Sequence, residues 1–243
     1  MAEQWFETWF DTNYYHLLYR NRDENEARQF IDALLRYLSP KVDQEFLDIA
    51  CGKGRHAIYL HERGYCVTGV DLSANSISIA NESTEEGLYF FVRDIRHPLG
   101  VRSVDFALNM FTSFGYFDTE EEHVNALMNI KNAVVPNGTF VMDYLNLDFV
   151  KSKLIEEEVQ VHDGIEYRIN REIKDGFIHK SIKVIDGEQE FDFIEKVKAF
   201  NSENLISMVE KAGFEVIDTF GDYNLNPLNQ DSTRVILIAS NSE

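Results

Sequence analysis

The chain has 243 residues, of which 42 are acidic and 23 are basic, and its formal net charge at pH 7 is −19. Because nucleic-acid binding depends on neutralising phosphates with lysine and arginine, this charge argues against DNA, RNA and anionic membranes as partners. A hydrophobic fraction of 44% that includes 18 Phe and 11 Tyr excludes a disordered chain and predicts one globular domain over residues 1–243.

The N-terminus and the cysteines indicate the compartment. The first residues lack a basic segment followed by a long apolar one, and no apolar run is long enough to span a bilayer. The two cysteines, Cys51 and Cys66, suit a reducing environment better than a disulfide framework. We therefore expect a cytoplasmic protein without a signal peptide.

Aromatic residues crowd the start of the chain. The spacing of Phe6, Trp9, Phe10 and Tyr14 predicts a single helix with one apolar face. A second, amphipathic helix is predicted from Asp23 to Leu38, where a Ser-Pro pair ends it. The simplest interpretation is that these helices pack on the body of the protein.

Residues 45–60 predict a short strand, a glycine-rich turn and the start of a helix. The pattern Gly52-x-Gly54-x-x-Ala57 also fits dinucleotide-binding folds, in which backbone N–H groups at a helix N-terminus approach the ligand. Asp48, near the end of the strand, distinguishes between ligands. A pyrophosphate beside it would cost up to ~4 kcal/mol at about 4 Å in an effective dielectric of about 20, whereas a cation would gain.

The run Asp48-Ile49-Ala50-Cys51-Gly52-Lys53-Gly54 resembles the first motif of the class I (Rossmann-like) S-adenosylmethionine-dependent methyltransferases, D-x-G/A-C-G-x-G. S-adenosylmethionine carries both an ammonium and a sulfonium group. The resemblance implies that this cofactor is bound at Asp48, Ala50, Gly52 and Gly54. It also implies an α/β fold with a doubly wound, mostly parallel seven-stranded sheet whose last strand is antiparallel.

The same resemblance suggests a role for the N-terminal residues. In small-molecule methyltransferases similar to this one, N-terminal Tyr and Arg residues often form a lid over the cofactor. Residues 1–40 would be that lid here, with Tyr15, Tyr19 and Arg22 at the cofactor. Plain packing on the body of the protein remains the alternative.

Two further acidic residues follow predicted strands. Asp71 ends a strand about 20 residues after the glycine turn, where both nucleotide-binding families hold a ribose diol, and Leu72 follows it. Asp71 could instead cap the next helix, although Ser73 already supplies a cap. Asp94 resembles the methyltransferase carboxylate that accepts the adenine amino group, with Ile95 beside the ring, but it could equally be a surface turn residue.

The fourth predicted strand, residues 104–109, leads into an aromatic loop at the carboxyl edge of the sheet, where ligands bind in such folds. Methyltransferases of nucleobase amino groups carry an Asn/Asp-Pro-Pro-aromatic run here. This chain reads Asn109-Met110-Phe111-Thr112, without prolines, which argues against a nucleic-acid substrate. We expect Asn109 and Met110 at the cofactor. Phe111, Phe114 and Tyr116 could line an acceptor pocket or belong to the core.

Thr119 and Glu122 predict a capping box at a helix start, not an acid–base pair or a metal site. A Pro-Asn-Gly turn then leads into the fifth strand, residues 139–144. Asn201 is predicted to cap a last helix that Gly213 ends, before two closing strands.

Residues 156–200 interrupt the α/β alternation. Three Asp-Gly pairs, at 163–164, 175–176 and 186–187, separate runs of alternating apolar and polar residues. Because Asp-Gly suits type I′ turns, this segment predicts an inserted four-stranded antiparallel meander. It could cover the acceptor pocket, which we favour, or form a dimer contact.

The sequence predicts methyl transfer to a small molecule, without naming the acceptor or its reacting atom. A general base is not obligatory, and the candidates for one, which the sequence does not rank, are His16, His56, Tyr116, Asp143 and Tyr144. The histidines show no metal-site spacing. Aromatic walls and an acidic surface favour an apolar or cationic acceptor, and either a monomer or a homodimer is compatible with the chain. The alternatives are a nicotinamide-dependent oxidoreductase and a non-catalytic S-adenosylmethionine-binding protein.

Overall fold

The structure is a computed structural model that describes residues 5–20 and 24–242. The helices are α1 Trp5–Trp9, α2 Asn13–Leu18, α3 Glu24–Leu38, α4 Arg55–Glu62, α5 Ala74–Ala80, α6 Glu120–Lys131, α7 Leu147–Lys153 and α8 Ser202–Lys211. The strands are β1 Glu45–Ile49, β2 Cys66–Asp71, β3 Leu88–Val92, β4 Val104–Asn109, β5 Val134–Leu145, β6 Glu157–His162, β7 Ile165–Lys174, β8 Phe177–Asp186, β9 Gln189–Lys198, β10 Glu215–Phe220 and β11 Arg234–Ser240.

The main sheet has seven strands in the order β10-β11-β5-β4-β1-β2-β3. Strands β1 to β5 pair in parallel, and β11 runs antiparallel to both of its neighbours. This confirms the predicted α/β fold. After β3 the chain returns to the other side of β1 and forms β4. The strand order therefore reverses between β1 and β4, which leaves a crevice at the carboxyl ends of these two strands.

Side-chain alternation along β1 fills both faces of the sheet. Leu47 and Ile49 belong to the apolar cluster that packs on α6 and α8, whereas Phe46 belongs to the cluster beneath α3 and α4. Asp48 therefore points to the α3–α4 face, since successive strand residues face opposite sides. This places its carboxylate beside the start of α4.

The inserted segment forms a separate four-stranded antiparallel sheet, β6-β7-β8-β9, as predicted. Its first two turns have positive φ at both central residues, at 163–164 and 175–176, as type I′ requires. The third turn is different. Asp186 pairs with Gln189, and Gly187 alone of the two central residues has a positive φ, 62°, so the type I′ prediction is wrong there and the turn has the type II′ pattern.

The N-terminal segment is not the single helix that its aromatic spacing predicts. It forms α1 and α2, which are separated at residues 10–12. The Thr12 side chain accepts a hydrogen bond from the Tyr15 backbone N–H at 3.1 Å, so it starts a new helix instead of continuing the first. The two caps predicted later in the chain, at Thr119 and Asn201, are both present as capping boxes.

Two other elements differ from the sequence prediction. Strand β5 begins at Val134, before the Pro-Asn-Gly turn, which appears as an irregularity in its pairing with β4. Helix α7 between β5 and the meander was not expected. Among the described residues, no helix has the length and hydrophobicity needed to cross a bilayer.

Candidate active site

A cleft of about 1420 Å³ opens at the carboxyl ends of β1 and β4. The turn after β1 forms one side of it. Helices α1 and α2 together with strands β8 and β9 contribute further side chains to its lining. Among the predicted site residues, those that line this cleft are Tyr15, Tyr19, Asp48, Ala50, Gly52, Asp71, Leu72, Asp94, Ile95 and Met110.

The glycine turn needs glycine for two different reasons. Gly52 has φ 56° with open space where a Cβ would be, so its requirement is conformational. Gly54 has φ 85°, and a Cβ there would lie 2.7 Å from the Phe90 ring. Gly54 therefore packs against β3 and does not line the cleft, in contrast to the prediction. It permits the close approach of α4 to the sheet that brings the turn to the cleft.

Asp48 is 1% exposed at the bottom of the cleft. His56 Nδ1 lies 4.0 Å from its Oδ2, and that oxygen has no hydrogen-bond partner within the described part of the chain. Burial raises the pKa of Asp48 to about 7, and Asp71 adds to this, while the Ala57 N–H and Arg55 oppose it. The carboxyl group would therefore gain most from a cation in the cleft.

Asp71 holds the turn around the cleft in place. Its Oδ2 accepts from the Gly52 N–H and its Oδ1 from the Ser73 N–H, both at 2.8 Å. Burial raises its pKa against these bonds. The Ser73 hydroxyl caps α5 by accepting from the Ser76 N–H at 2.9 Å, so the helix cap is Ser73, as the sequence indicates.

Asp94 and Ile95 lie further along the same cleft. The Asp94 carboxylate accepts from Arg96 Nε at 2.8 and 3.0 Å and from the Arg96 backbone N–H at 2.9 Å. Burial raises the pKa of Asp94, but the bonds from Arg96 outweigh it and lower the pKa. Asp94 is therefore ionised and held in place by Arg96 in the cleft.

Two predicted cofactor residues lie elsewhere. Asn109 is fully buried behind the cleft wall, where its amide donates to the Ile49 and Ser113 carbonyls, both at 3.2 Å. It joins the end of β1 to the loop after β4 and, in contrast to the prediction, does not line the cleft. Arg22 lies outside the described residues.

The loop after β4 has an unusual backbone. Phe111 and Thr112 both have positive φ, 57° and 61°. Every polar group of Thr112 is bonded: its N–H to the Asp143 carbonyl at 3.0 Å, its Oγ1 to Arg234 at 2.9 Å and to the Leu145 N–H at 3.0 Å, and its carbonyl to the Tyr116 hydroxyl at 2.8 Å. A strained backbone persists where such contacts over-determine it.

A buried ion pair supports that loop. Arg234 Nε donates to Asp143 Oδ1 at 2.7 Å, and Asp143 Oδ2 accepts from the Phe111 N–H at 2.7 Å and from the Tyr223 hydroxyl at 3.1 Å. Burial raises the pKa of Tyr223, so it donates to the carboxylate at neutral pH. The sequence did not indicate Arg234 or Tyr223, because each is far from Asp143 along the chain.

The candidate bases differ in their access to the cleft. His16, His56 and Tyr116 line it. Asp143 and Tyr144 are fully buried, and Tyr144 donates to the Lys198 carbonyl at 2.7 Å. Burial raises the pKa of Tyr144 well above its usual value. These two residues are therefore wrong as candidate bases and have structural roles. Phe114 is core, while Phe111 and Tyr116 line the cleft.

The part of the cleft lining that comes from α1, α2, β8 and β9 is called the roof. It contains a polar cluster that the sequence did not indicate. Glu195 of β9 accepts from Trp9 Nε1 at 2.8 Å and from the Tyr19 hydroxyl at 2.6 Å, and Lys180 of β8 lies 3.6 Å from it. Lys180 also donates to Tyr19. The N-terminal segment and the meander thus form one continuous surface above the glycine turn.

Part of the chain matches a known protein family. Residues 46–138, which carry the glycine turn, Asp71 and Asp94, match the family described as methyltransferase domain. Over these residues the chain is therefore similar to methyltransferases. This sets aside the nicotinamide-dependent oxidoreductase.

Relatives and solved structures agree with this methyltransferase assignment. A protein of Geobacillus sp. (strain WCH70) described as a methyltransferase is 22% identical over 98% of this chain and 99% of its own length. A dTDP-3-amino-3,6-dideoxy-alpha-D-glucopyranose N,N-dimethyltransferase of Streptomyces fradiae is 30% identical over 53% of this chain and 51% of its own. The structure of an S-adenosylmethionine-dependent methyltransferase from Clostridium acetobutylicum ATCC 824 has the same fold, with TM-score 0.80, 19% identity and coverage of 95% and 96%.

The cleft fits S-adenosylmethionine as a cofactor. It offers a buried carboxylate with an unpartnered oxygen at Asp48 and two further carboxylates at Asp71 and Asp94. Within residues 5–20 and 24–242, no three His, Cys, Asp or Glu side chains are grouped as metal ligands.

Proposed function

We propose that this methyltransferase transfers a methyl group to an amine nitrogen of a small molecule bound between the glycine turn and the roof. The observation that supports the proposal is that one cleft is lined both by predicted cofactor residues and by side chains of α1, α2, β8 and β9. The amine is suggested by the Streptomyces fradiae relative, an N,N-dimethyltransferase of an amino sugar. An acceptor of about the size of an amino sugar suits a cleft of this kind better than an open groove.

The cofactor would lie along the carboxyl ends of β1 to β4. Asp48 would face its cationic end, Asp71 would accept from the ribose hydroxyls, and Asp94 would accept from the adenine amino group beside Ile95. S-adenosylmethionine supplies an electrophilic methyl group on a sulfonium. The residues of the chain then have to hold the acceptor in line with that methyl and exclude water.

The N-terminal segment would act as the lid over this cofactor. Tyr15, His16 and Tyr19 line the same cleft as Asp48 and Gly52. The meander would cover the acceptor, since Ile178, Lys180, Glu195 and Val197 line the same cleft.

Asp71→Ala tests the cofactor site. We expect the substitution to weaken binding of S-adenosylhomocysteine about tenfold or more, on the order of losing a hydrogen bond to a charged group. Isothermal titration calorimetry measures this directly. Asp231→Ala, an exposed aspartate outside the cleft, is the control and should bind as the wild type does. Equal affinities for the wild type and Asp71→Ala would contradict the ribose assignment.

The acceptor class is tested by turnover. Formation of S-adenosylhomocysteine from S-adenosylmethionine is measured with a panel of amino sugars, their nucleotide-activated forms, amino acids and simple amines, beside matched alcohols and thiols. Turnover confined to amines supports the proposal. Turnover confined to alcohols or thiols, or cofactor binding without turnover across the panel, would contradict it.

A further inference from the structure

Asp11 joins the N-terminal segment to the core beside the proposed ribose site. Its Oδ1 accepts from the Ser73 hydroxyl at 2.5 Å and from the Asn75 backbone N–H at 3.2 Å. Its Oδ2 accepts from the Asn75 side-chain amide at 2.6 Å. Both carboxylate oxygens are thus bonded to the first residues of α5, in a contact between positions more than 60 apart in sequence.

The same turn holds Asp71. The Ser73 backbone N–H donates to Asp71, while the Ser73 hydroxyl donates to Asp11. The two carboxylates are close enough that the charge of Asp11 contributes to raising the pKa of Asp71, after the larger effect of burial. Asp11 and the proposed ribose ligand therefore share one residue, Ser73.

The segment that Asp11 anchors covers the cleft. Thr12 caps α2 immediately after Asp11, and Tyr15 and His16 on α2 line the cleft above the glycine turn. On its other side the segment is bonded to the meander through Trp9, Tyr19 and Glu195. We call residues 11–19 the strap. It is bonded to the start of α5 through Asp11 and to the meander through Tyr19, so it would enclose a ligand lying along Asp71.

We propose that Asp11 is a positioning residue that latches the N-terminal segment over the bound cofactor, and that its bond to Asn75 slows cofactor release. The inference rests on the proposed function, because it places the cofactor at Asp71. Release requires the strap to move, so the latch acts mainly on the dissociation rate and much less on association. A residue that only stabilised the fold would change the thermal midpoint instead.

Asn75→Asp breaks this latch without harming α5. It places a second carboxylate where Asp11 now receives the amide, while an acidic residue in the first turn favours a helix. We expect S-adenosylhomocysteine to dissociate about tenfold faster or more, with the association rate changed by less than about threefold. Stopped-flow displacement measures both rates, and calorimetric scans of the free protein should show little change in thermal midpoint.

The reversed pair is the control. In the double variant Asp11→Asn/Asn75→Asp, the new amide can donate to the new carboxylate, so the dissociation rate should return to within about threefold of wild type. A wild-type dissociation rate in Asn75→Asp, or a double variant that releases as fast as Asn75→Asp, overturns the latch. A wild-type protein that does not bind S-adenosylhomocysteine contradicts the proposed function instead, so the two failures are distinguishable.

Discussion

Replacing Asp143 with alanine is expected to lower the free energy of unfolding by roughly 3–5 kcal/mol. The substitution leaves the Arg234 guanidinium without its carboxylate partner in a buried position. It also removes the acceptor of the Phe111 N–H and of the Tyr223 hydroxyl. A polar group that is removed from water and loses its hydrogen-bond partner destabilises the fold by its full desolvation free energy. Asp143→Ala leaves three such groups without this partner at once. Urea unfolding followed by circular dichroism measures the change.

A double-mutant cycle separates the ion pair from simple loss of packing. Asp143→Ala/Arg234→Met removes both charges, so it should be less destabilised than the sum of the two single variants, by more than about 1 kcal/mol. Asp143→Asn, which keeps the acceptor oxygen, should lie between wild type and Asp143→Ala. Strictly additive losses would show that the pair contributes nothing as a pair.

The same substitution should affect the cleft as well as the fold. The Phe111 and Thr112 backbones have positive φ, and the Asp143–Arg234 pair and the end of β5 bond them in that conformation. Phe111 stacks on His56 with ring centroids 5.0 Å apart, and His56 adjoins Asp48. The Asp143–Arg234 pair therefore supports one wall of the cleft. Through the rings of Phe111 and His56 it also supports the surroundings of the Asp48 carboxylate.

Replacing Asp48 with asparagine is expected to weaken binding of S-adenosylmethionine by roughly tenfold to a hundredfold at pH 8. The amide keeps the shape and the acceptor oxygen but loses the charge that attracts a cation. Because the pKa of Asp48 in the free protein is about 7, lowering the pH from 8 to 6 protonates it in the wild type and should weaken binding there. In Asp48→Asn this part of the pH dependence should vanish. Calorimetric titrations of both proteins at pH 6, 7 and 8 make the comparison.

Asp48→Asn, which is expected to weaken cofactor binding, should increase the free energy of unfolding of the free protein at pH 8. The folded-state pKa of Asp48, about 7, is raised above the model-peptide value of 3.8. A raised pKa means that the contribution to folding is fully present below the unfolded-state pKa and is lost as the pH rises from about 4 through about 7. Asp48→Asn should therefore be more stable than wild type at pH 8, by roughly 1–4 kcal/mol, and similar at pH 4. If Asp48→Asn binds S-adenosylmethionine as tightly as wild type at pH 6, 7 and 8, Asp48 does not contact the cofactor.

The carboxyl groups of the cleft lower the stability of the free protein at neutral pH and above, and they favour binding of a ligand that compensates their burial. Asp48 is buried and Asp71 is partly buried, burial raises both pKa values, and in the proposed function both would gain from a cationic or hydroxylated ligand. The chain as a whole is strongly acidic, so long-range electrostatics already favour a cationic cofactor over a polyanionic substrate.

The sequence by itself determined the features that depend on neighbours only a few positions away. The glycine turn, the capping boxes at Thr119 and Asn201, and the first two Asp-Gly hairpins are local, because backbone conformation and short-range hydrogen bonds decide them. The fold class, a mostly parallel seven-stranded sheet with an antiparallel last strand, was implied by the family resemblance. Local reasoning failed at Thr12, where a short polar side chain capped a second helix in a run whose apolar spacing suggested one.

Only the tertiary structure decided which distant residues meet. Asp143 and Arg234 are 91 positions apart, and Tyr19 and Glu195 are 176 apart. No periodicity in the sequence links such pairs, because they are brought together by the antiparallel pairing of β5 with β11 and by the packing of the N-terminal helices on the meander. The fold likewise turned Asn109 and Tyr144 away from the cleft, since strand register, and not residue type, determines which side chains face a crevice.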